Sequence, residues 1–514
     1  MADYILTIDP GASNTTGILR EYISDPGYIR PDIVGEPYTF RSGKWTGKHG
    51  IKCENAPIAM MYVLKKIPER LRRNIRAIAI TSHGATQVPI DQDGEPIFGG
   101  APSYDSHRFG EFHDEFFYEF GDGISLLGET GSPQLDLGIN AAQQMFYLKR
   151  KHPRLWDKTT HFLPLSSYMA FLLTGNRYTC HTHTRNHAYL EAIAENPEDW
   201  LWSSVVAGLG LQSKMPGFIR PFDAYGTLTK ESVEEYGLPK DCIVVAAGHD
   251  TSAASILAPN YINTGTWICN TAAGVPIDLS PQFLYRMEEI GLAVNADPWG
   301  RNLRTIMARY GQTREEYRKM FDPSGKLQQE CKFNGLNCVG DEIIPLAFNE
   351  GVGPYPSLET AELPEEYVGK ASSFLHSLSF TIAIPEVLSS ILTSDDKISL
   401  HDPLSKLLRI GYKAKPVVIG GPFVAPLETT QGMGTFEALF SMLYPGTVKK
   451  FTFPEPTTYA AHIMAVAALE GYDPRELSNR IYTPTADITS KPEDESQLLA
   501  MVVSWEEEMQ RLAN

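Results

Sequence analysis

Short apolar runs that end in glycine and polar residues recur along this chain and predict an α/β protein. The stretch from residue 244 to 255 reads VVAAGHDTSAAS, in which a β-branched run ends at Gly248 and small residues suited to a helix follow Asp250. Such a strand-to-helix turn delivers a polar side chain to the edge of a parallel sheet where ligands bind. The pattern therefore predicts Asp250 either as a general base or as a residue that only caps the helix.

A second kind of pattern, a buried strand followed by a polar turn and another strand, occurs twice. Residues 4–20 contain the turn DPGASNTTG, and residues 261–271 read YINTGTWICNT. Turn amides and hydroxyls of this kind can face a phosphate, and Asp9 at the first strand end suits Mg²⁺, which prefers oxygen ligands. An ordinary hairpin turn is the alternative in each case. Two such hairpins in two halves of one chain indicate a repeated domain with one phosphate-binding turn in each half.

Further polar clusters follow other apolar runs. Residues 75–80 predict a strand that ends in TSHGATQ, and YDSHR follows a loop at residues 104–108. Paired donors and acceptors suit recognition of a polyhydroxylated ligand, which makes His83, Gln87 and Asp105 candidate substrate-binding residues. A solvated loop is the alternative for any one of them.

The run KPVVIGG at residues 415–421 predicts a strand that ends in two glycines. Glycines there let a flat ring such as adenine approach the backbone, and a plain exit from strand to loop is the alternative. Apolar residues at helical spacing predict helices over residues 60–74, 141–150, 162–174, 374–392, 458–471 and 492–512. Pro385 is expected to kink or end the fourth of these helices, and the last is expected to dock as a terminal helix.

The length and charge of the chain narrow its class. A chain of 514 residues exceeds the size of one hydrophobic core, and we expect domains at 1–258 and 259–475 with a helical tail at 476–514. A formal net charge of -17 disfavours nucleic acid and anionic membranes as partners. The six cysteines are scattered and no apolar run is long enough to span a bilayer. We therefore expect a cytoplasmic protein.

Four motifs in order along the chain resemble those of the FGGY family of carbohydrate kinases, within the actin-like ATPase superfamily. They are Asp9-x-Gly11-Ala12-Ser13-Asn14, Gly248-His249-Asp250-Thr251, Thr264-Gly265-Thr266-Trp267 and Gly420-Gly421-x-Phe423. The wording of the first three is most similar to the rhamnulokinase and L-fuculokinase branch. The resemblance implies an α/β fold of two actin-like (ribonuclease H-like) domains around a central cleft.

The resemblance also implies a function and its residues. The chain would be an ATP-dependent, Mg²⁺-requiring kinase that phosphorylates a hydroxyl of a ketose or deoxyketose similar to rhamnulose, fuculose or xylulose. Asp250 would be the general base, and Asp9 would organise Mg²⁺, directly or through water. The nucleotide and its phosphates would be bound by Asp9, Ser13, Asn14, Thr264, Gly265, Thr266, Gly420 and Gly421. The sugar would be bound by His83, Gln87, Asp105, His249 and Asp250.

The chain departs from the family pattern at several positions. Members usually carry a basic residue where this chain has Thr16, so Arg20 is a candidate substitute. Gln144 and Tyr147 stand where the family has Lys and Trp, and Pro422 interrupts the adenosine motif. One alternative is therefore a catalytically degenerate regulatory protein that binds nucleotide and sugar, and another is an actin-like polymer or chaperone ATPase. The sugar, the nucleotide preference and the oligomeric state, with a homodimer as the assembly to test, stay open.

Overall fold

The structure is a computed structural model. It describes residues 2–11, 14–25, 31–135, 138–194, 200–265, 267–311, 371–395, 397–398, 402–421, 435–453, 455–472, 474–477, 480–481, 485–488 and 494–513. The strands are β1 Tyr4–Pro10, β2 Asn14–Glu21, β3 Tyr38–Arg41, β4 Lys44–Thr46, β5 Lys52–Glu54, β6 Ile75–Ser82, β7 Gln87–Ile90, β8 Ala101–Pro102, β9 His161–Pro164, β10 Tyr178–Thr179, β11 Gly217–Phe218, β12 Gly226–Thr227, β13 Ile243–His249, β14 Asn260–Thr264, β15 Ile268–Ala273, β16 Ala293–Ala296, β17 Asn302–Ala308, β18 Val417–Gly420, β19 Val448–Phe451 and β20 Thr485–Ile488.

Helices lie between and after the strands, so the predicted α/β class is confirmed. The α-helices are Ala56–Lys66, Glu69–Arg72, His113–Phe120, Gly123–Thr130, Ala141–Lys151, Pro153–Lys158, Leu165–Thr174, His181–Thr184, Ser204–Leu209, Lys230–Tyr236, Asp250–Ala254, Pro281–Glu289, Ala371–Ser394, Leu404–Arg409, Thr435–Leu443, Pro456–Glu470, Pro474–Leu477 and Glu495–Ala513. Short 3₁₀ helices are Lys48–Gly50, His107–Phe112 and Ser255–Leu257.

The first large sheet has the strand order β12-β13-β6-β1-β2-β3. Its centre is parallel, because β6 pairs in parallel with both β1 and β13, whereas β1 and β2 form the predicted antiparallel hairpin. The carboxyl ends of β1, β6 and β13 therefore meet at one edge of the sheet. Residues just past these strand ends are brought together although they are far apart in the sequence.

The second large sheet has the order β16-β17-β15-β14-β18-β19-β20. Strands β14 and β15 form the second predicted hairpin, and β18 pairs with β14 in parallel so that Gly420 lies opposite Asn263. The turn after β14 and the end of β18 therefore lie side by side. This juxtaposition joins two sequence motifs that are separated by about 150 residues, as the pairing of Asn263 with Gly420 requires.

Apolar clusters cover both sheets. The alanine-rich helix Pro456–Glu470 packs on the first sheet, where its buried face joins Ile5, Ala77 and Val245. The terminal helix Glu495–Ala513 buries Leu498, Val502 and Trp505 in the core of the second sheet, which confirms the predicted docked helix. The exact domain boundaries stay a prediction.

Two helix predictions differ from the structure, each at a proline. The predicted helix over residues 60–74 is two helices, because the chain at Pro68 is extended and proline supplies no backbone N–H. The predicted helix over residues 162–174 begins only after Pro164, and the residues before it form β9. Of the two effects expected for Pro385, an end of the helix is wrong, because the helix runs over Ala371–Ser394, and a kink stays a prediction. No helix within the described ranges is both long and apolar enough to cross a bilayer.

Candidate active site

The strand-to-helix turn after β13 presents Asp250 at the edge of the first sheet, as predicted. Gly248 adopts a φ of +83°, and a Cβ there would lie 2.3 Å from Thr182 Oγ1, so this position requires glycine. Beyond it, Asp250 begins the helix Asp250–Ala254. The turn therefore fixes the carboxylate through backbone conformation and through contact with a neighbouring segment.

The Asp250 carboxylate is held on one oxygen. Its Oδ1 accepts a hydrogen bond from the Thr251 amide at 2.6 Å and lies 3.0 Å from His249 Nε2. In the described part of the chain every hydrogen bond to this carboxylate falls on Oδ1, which leaves Oδ2 available to a ligand. Burial raises the pKa of Asp250, but His249, His83 and the Thr251 amide outweigh it and lower the pKa below the ordinary value. The group is therefore ionised at neutral pH and can accept a proton.

Asp9, at the end of β1, has the opposite character. Thr81 Oγ1 on the neighbouring strand donates to Asp9 Oδ1 at 2.8 Å. Burial, together with the negative charges of Asp250 and Glu455, raises the pKa of Asp9 from 3.8 to about 7. The pKa values of two carboxyl groups that face one space are thus shifted in opposite directions, because Asp250 has imidazole neighbours and Asp9 has carboxyl neighbours.

Glu455 is a site residue that the sequence reasoning missed. It has a φ of +57° immediately before the helix Pro456–Glu470, and it lines the same cavity as Asp9 and Asp250. Burial raises the pKa of its carboxyl group, and nearby Arg20 opposes this. No motif marks it in the sequence, although a glutamate directly before a proline at a helix start was a visible signal.

His83 lies just past β6 and is paired with a buried acid. Its Nε2 lies 3.0 Å from Glu54 Oε2, and Thr86 Oγ1 donates to Glu54 Oε1 at 2.9 Å. Burial lowers the pKa of His83, but Glu54 outweighs burial and raises it above the ordinary value. The Tyr104 ring packs edge-on at 5.4 Å from the His83 ring. Glu54 therefore fixes the orientation of the imidazole at the edge of the cavity.

A cavity of about 290 Å³ unites both hairpin turns with the strand ends of the first sheet. It is lined by Asp9, Gly11, Asn14, Thr16, His83, Gly84, Ala85, Tyr104, Ile139, Asn186, His187, His249, Asp250, Thr251, Asn263, Gly265, Trp267, Cys269, Met307, Gly421, Glu455, Pro456 and Thr457. Seven candidates from the sequence are among them, namely Asp9, Asn14, His83, His249, Asp250, Gly265 and Gly421. Ser13, Thr266, Pro422 and Phe423 lie outside the described residues.

Four other candidates do not line this cavity. Gln87 is buried and its backbone amide donates to Gln144 Oε1 at 3.3 Å. Asp105 is paired with Lys44 at 2.7 Å and Lys52 at 3.1 Å, and although burial opposes them, these lysines lower its pKa to about 2. The Asp105 carboxylate thus pairs with two lysines beside the cavity, whereas the side-chain amide of Gln87 has no hydrogen-bond partner among the described residues. The role of both residues as direct sugar ligands stays a prediction.

Thr264 and Gly420, the other two, support the second turn from behind. Thr264 Oγ1 donates to the Gly420 carbonyl at 2.9 Å, and Gly421 adopts a φ of +105° with the Thr264 backbone against it. A Cβ at Gly421 would lie 2.8 Å from the Thr264 carbonyl oxygen. Of Thr264, Gly420 and Gly421, only Gly421 lines the cavity. The Thr264 hydroxyl and the Gly420 carbonyl are hydrogen-bonded to each other.

Arg20 does not substitute for the basic residue that the family usually carries at Thr16. Its guanidinium is buried away from the cavity, where it donates to Thr7 Oγ1 at 3.1 Å and Thr458 Oγ1 at 2.9 Å. Burial lowers its pKa to about 10, with Glu455 opposing this. Arg20 instead joins the first sheet to the helix Pro456–Glu470.

The carboxyl groups of the cavity fit a hard cation that also binds water and substrate phosphates better than a cation held by protein ligands alone. Within the described ranges no group of three or more His, Cys, Asp or Glu residues is close enough to hold a metal ion. Asp9, Asp250 and Glu455 nevertheless repel one another across the cavity, as the raised pKa of Asp9 records. Mg²⁺ is commonly bound by one or two carboxylates together with water and substrate phosphates, and the residues present fit that arrangement.

The N-terminal half of the chain matches a known family. Residues 4–256 match the FGGY family of carbohydrate kinases, N-terminal domain. The rhamnulokinase of Halalkalibacterium halodurans is 30% identical over 187 residues, which cover 35% of this chain and 38% of that protein. The rhamnulokinase of Bacteroides thetaiotaomicron is 27% identical over 201 residues, covering 38% of this chain and 40% of that protein. The chain thus matches about two fifths of the length of these relatives.

The likeness of fold extends over the whole chain. A crystal structure of ligand-bound xylulose kinase from Lactobacillus acidophilus aligns with a TM-score of 0.73 at 14% identity, covering 99% of this chain and 98% of that one. At this identity the likeness shows the fold alone. The predicted family is confirmed for residues 4–256, and the predicted two-domain, actin-like fold is confirmed by the likeness to solved structures.

Proposed function

The chain belongs, through residues 4–256, to the FGGY family of carbohydrate kinases, and we propose that it transfers the γ-phosphate of ATP to a hydroxyl of a sugar with Asp250 as the general base. The observation that carries this proposal is the single cavity in which Asp250 faces both hairpin turns. An acceptor hydroxyl and a triphosphate have to meet in one space for the transfer to occur in line.

Asp250 has the properties that the step needs. Its pKa is lowered, so it is ionised at neutral pH, and its Oδ2 is available while His249 and Thr251 hold Oδ1. In the proposed step the sugar hydroxyl gives its proton to Oδ2 as its oxygen attacks the γ-phosphorus, and the bond from phosphorus to the bridging oxygen of ADP breaks. Orientation of the carboxylate, more than a raised basicity, supplies the rate enhancement.

The phosphates would lie against the two turns. The hairpin between β1 and β2 is closed by the Gly11 amide donating to the Asn14 carbonyl at 2.8 Å, and the second turn is closed by the Gly265 amide donating to the Trp267 carbonyl at 3.0 Å. Asp9 would hold Mg²⁺, directly or through water, and the cation would neutralise charge on the phosphates when bound. The adenosine would lie beyond Gly421, which lines the cavity at the end of β18.

The sugar would meet both polar and apolar side chains. His83 and His249 line the cavity, and Ala85, Ile139 and Trp267 line it from an apolar cluster. A ketose or deoxyketose fits such a site, because its hydroxyls and its carbon face or methyl group differ in polarity. The similarity to two rhamnulokinases supports a rhamnulose-like substrate.

The test is ADP release by the wild type and by Asp250→Asn, with ATP, Mg²⁺ and a panel of ketoses. We expect sugar-dependent ADP release by the wild type and a loss on the order of 10²–10⁴-fold in kcat for the variant. Asp223→Asn, which changes a surface pair with Arg220, serves as the control and is expected to keep full activity. Near-wild-type turnover by Asp250→Asn would remove Asp250 from this role. ATP binding without turnover on any sugar would favour the regulatory alternative.

A further inference from the structure

Two buried polar side chains at one end of the cavity have no role in the mechanism above. Asn186 and His187 line the cavity and are only 2% and 3% exposed. Asn186 Oδ1 and both ring nitrogens of His187 have no hydrogen-bond partner among the described residues. Buried polar groups are almost always hydrogen-bonded in folded proteins. Three such atoms on two side chains that line one cavity therefore point to a ligand that supplies their partners.

The backbone of this segment is held in an uncommon conformation that fixes where these side chains lie. His187 has a φ of +53°, its amide donates to the Arg185 carbonyl at 3.0 Å, and its carbonyl accepts from Asn140 Nδ2 at 2.8 Å. The next carbonyl, of Ala188, accepts from the Ala142 amide at 3.0 Å. Non-glycine residues adopt positive φ only where the surroundings enforce it. The imidazole is therefore pre-positioned before any ligand arrives.

Gly84 connects this end of the cavity to the strand ends. A Cβ at Gly84 would lie 1.3 Å from Asn186 Nδ2 and 2.8 Å from His249 Cδ2. The Asn186 amide and the His249 ring thus flank the same point, and His249 in turn contacts Asp250 at 3.0 Å. The His249 ring therefore lies between Asp250 and the side of Gly84 on which the Asn186 amide packs.

Asn186 and His187, at this end of the cavity, carry no charge at neutral pH. Burial lowers the pKa of His187 to about 3, so at neutral pH one ring nitrogen donates and the other accepts. The neighbouring cation, Arg185, is paired with Glu191 at 3.2 Å and donates to the Gly300 carbonyl. The charged side chains that do line the cavity within the described ranges are Asp9, Asp250 and Glu455, and His83 is paired with Glu54.

We infer that Asn186 and His187 are specificity-determining residues that bind substrate hydroxyls other than the attacking one, and that they select an uncharged polyhydroxylated sugar over a sugar acid. This inference rests on the proposed function, because it assigns the remaining contacts of the same substrate. A hydroxyl both donates and accepts, which matches a neutral imidazole beside an amide oxygen. A carboxylate at this end would face the neutral His187 imidazole and a cavity lined by the carboxyl groups of Asp9, Asp250 and Glu455.

The experiment compares Asn186→Ala and His187→Asn with the wild type in ADP release on L-rhamnulose, L-fuculose, D-xylulose, D-ribulose and D-gluconate. Asparagine tolerates positive φ, so His187→Asn removes the ring without adding backbone strain. The matched control is His183→Asn, since His183 is equally buried and lies in the same segment but does not line the cavity, and its Nε2 lies 2.7 Å from Ser166 Oγ.

On the best ketose we expect KM to rise at least about 10-fold in both cavity variants with kcat within about 3-fold, because the contacts lie away from the reacting oxygen. The control should leave KM unchanged, and D-gluconate should have a kcat/KM at least about 100-fold below that of the best ketose. An unchanged KM in both variants, an equal rise in the control, or efficient turnover of D-gluconate would overturn the inference.

If no sugar is phosphorylated, the proposed function fails and the inference is decided by binding. Thermal stabilisation by one of the same sugars that is lost in Asn186→Ala and kept in His183→Asn supports the inference by itself. Absence of stabilisation by every sugar in the wild type overturns it.

Discussion

Replacing Asp9 by asparagine is expected to stabilise the ligand-free protein while it lowers phosphoryl transfer. In the folded state burial and the charges of Asp250 and Glu455 raise the pKa of Asp9 from 3.8 to about 7. Ionising this group in the folded state therefore costs about 4 kcal/mol at high pH, at about 1.4 kcal/mol for each pKa unit. The amide of the Asp9→Asn variant cannot ionise, and it keeps an oxygen that can accept the hydrogen bond from Thr81.

The sign of the pH dependence follows from proton binding. Between pH 4 and 7 the folded wild type holds more protons at Asp9 than the unfolded chain does, so its stability falls as pH rises through this range. Relative to Asp9→Asn, the wild type should lose about 1.4 kcal/mol between pH 6 and 8.5. Urea unfolding of both proteins, followed by tryptophan fluorescence in EDTA at several pH values, measures this difference. In the same variant, Mg²⁺-dependent ADP release should fall, because the proposed ligand for the cation is lost.

Asp105→Asn is a control in which the expected change in folding stability has the opposite sign. Although burial opposes them, Lys44 and Lys52 lower the pKa of Asp105 to about 2, so the ionised carboxylate stabilises the fold at neutral pH and its loss should destabilise the protein. Mg²⁺ added without nucleotide should narrow the gap between Asp9→Asn and the wild type. An Asp9→Asn variant no more stable than the wild type at pH 8.5, or a gap that does not change with pH, would refute the reasoning.

Three further substitutions test the packing around the site. Gly84→Ala should raise the sugar KM without loss of fold, because its Cβ would lie 1.3 Å from Asn186 Nδ2 and displace that amide; sugar titration in the ADP assay measures it. Gly421→Ala should destabilise the protein by about 1–3 kcal/mol and raise the KM for ATP, since φ is +105° and the Thr264 backbone is in contact; urea unfolding and ATP titration check both effects. Trp505→Ala should lower stability by about 3–5 kcal/mol and leave the sugar KM unchanged, because the side chain is fully buried in the core of the second sheet. Thermal unfolding measures the loss of stability.

The sequence alone determined the elements on which the site is built. The apolar runs before Asp9, Thr81 and Gly248 are central strands because β-branched and aliphatic residues suit a sheet that is covered on both faces. Glycine marks the strand-to-helix turn after β13 because only glycine accepts its φ of +83°. These features are local, so a stretch of about ten residues contains the information that specifies each of them.

Only the tertiary structure decided which polar residues share the cavity. Glu455 reaches it because the helix Pro456–Glu470 packs back on the first sheet, and Asn186 and His187 reach it because Asn140 and Ala142 hold their backbone. Gln87 and Asp105 occur in equally polar sequence, yet neither lines the cavity, and Lys44 pairs with the Asp105 carboxylate. The direction of a side chain depends on contacts between residues far apart in the chain, and the protonation of Asp9 depends on charges that only folding brings near. Neither the direction of a side chain nor the protonation of Asp9 can therefore be predicted from the pattern of apolar and polar residues in the sequence.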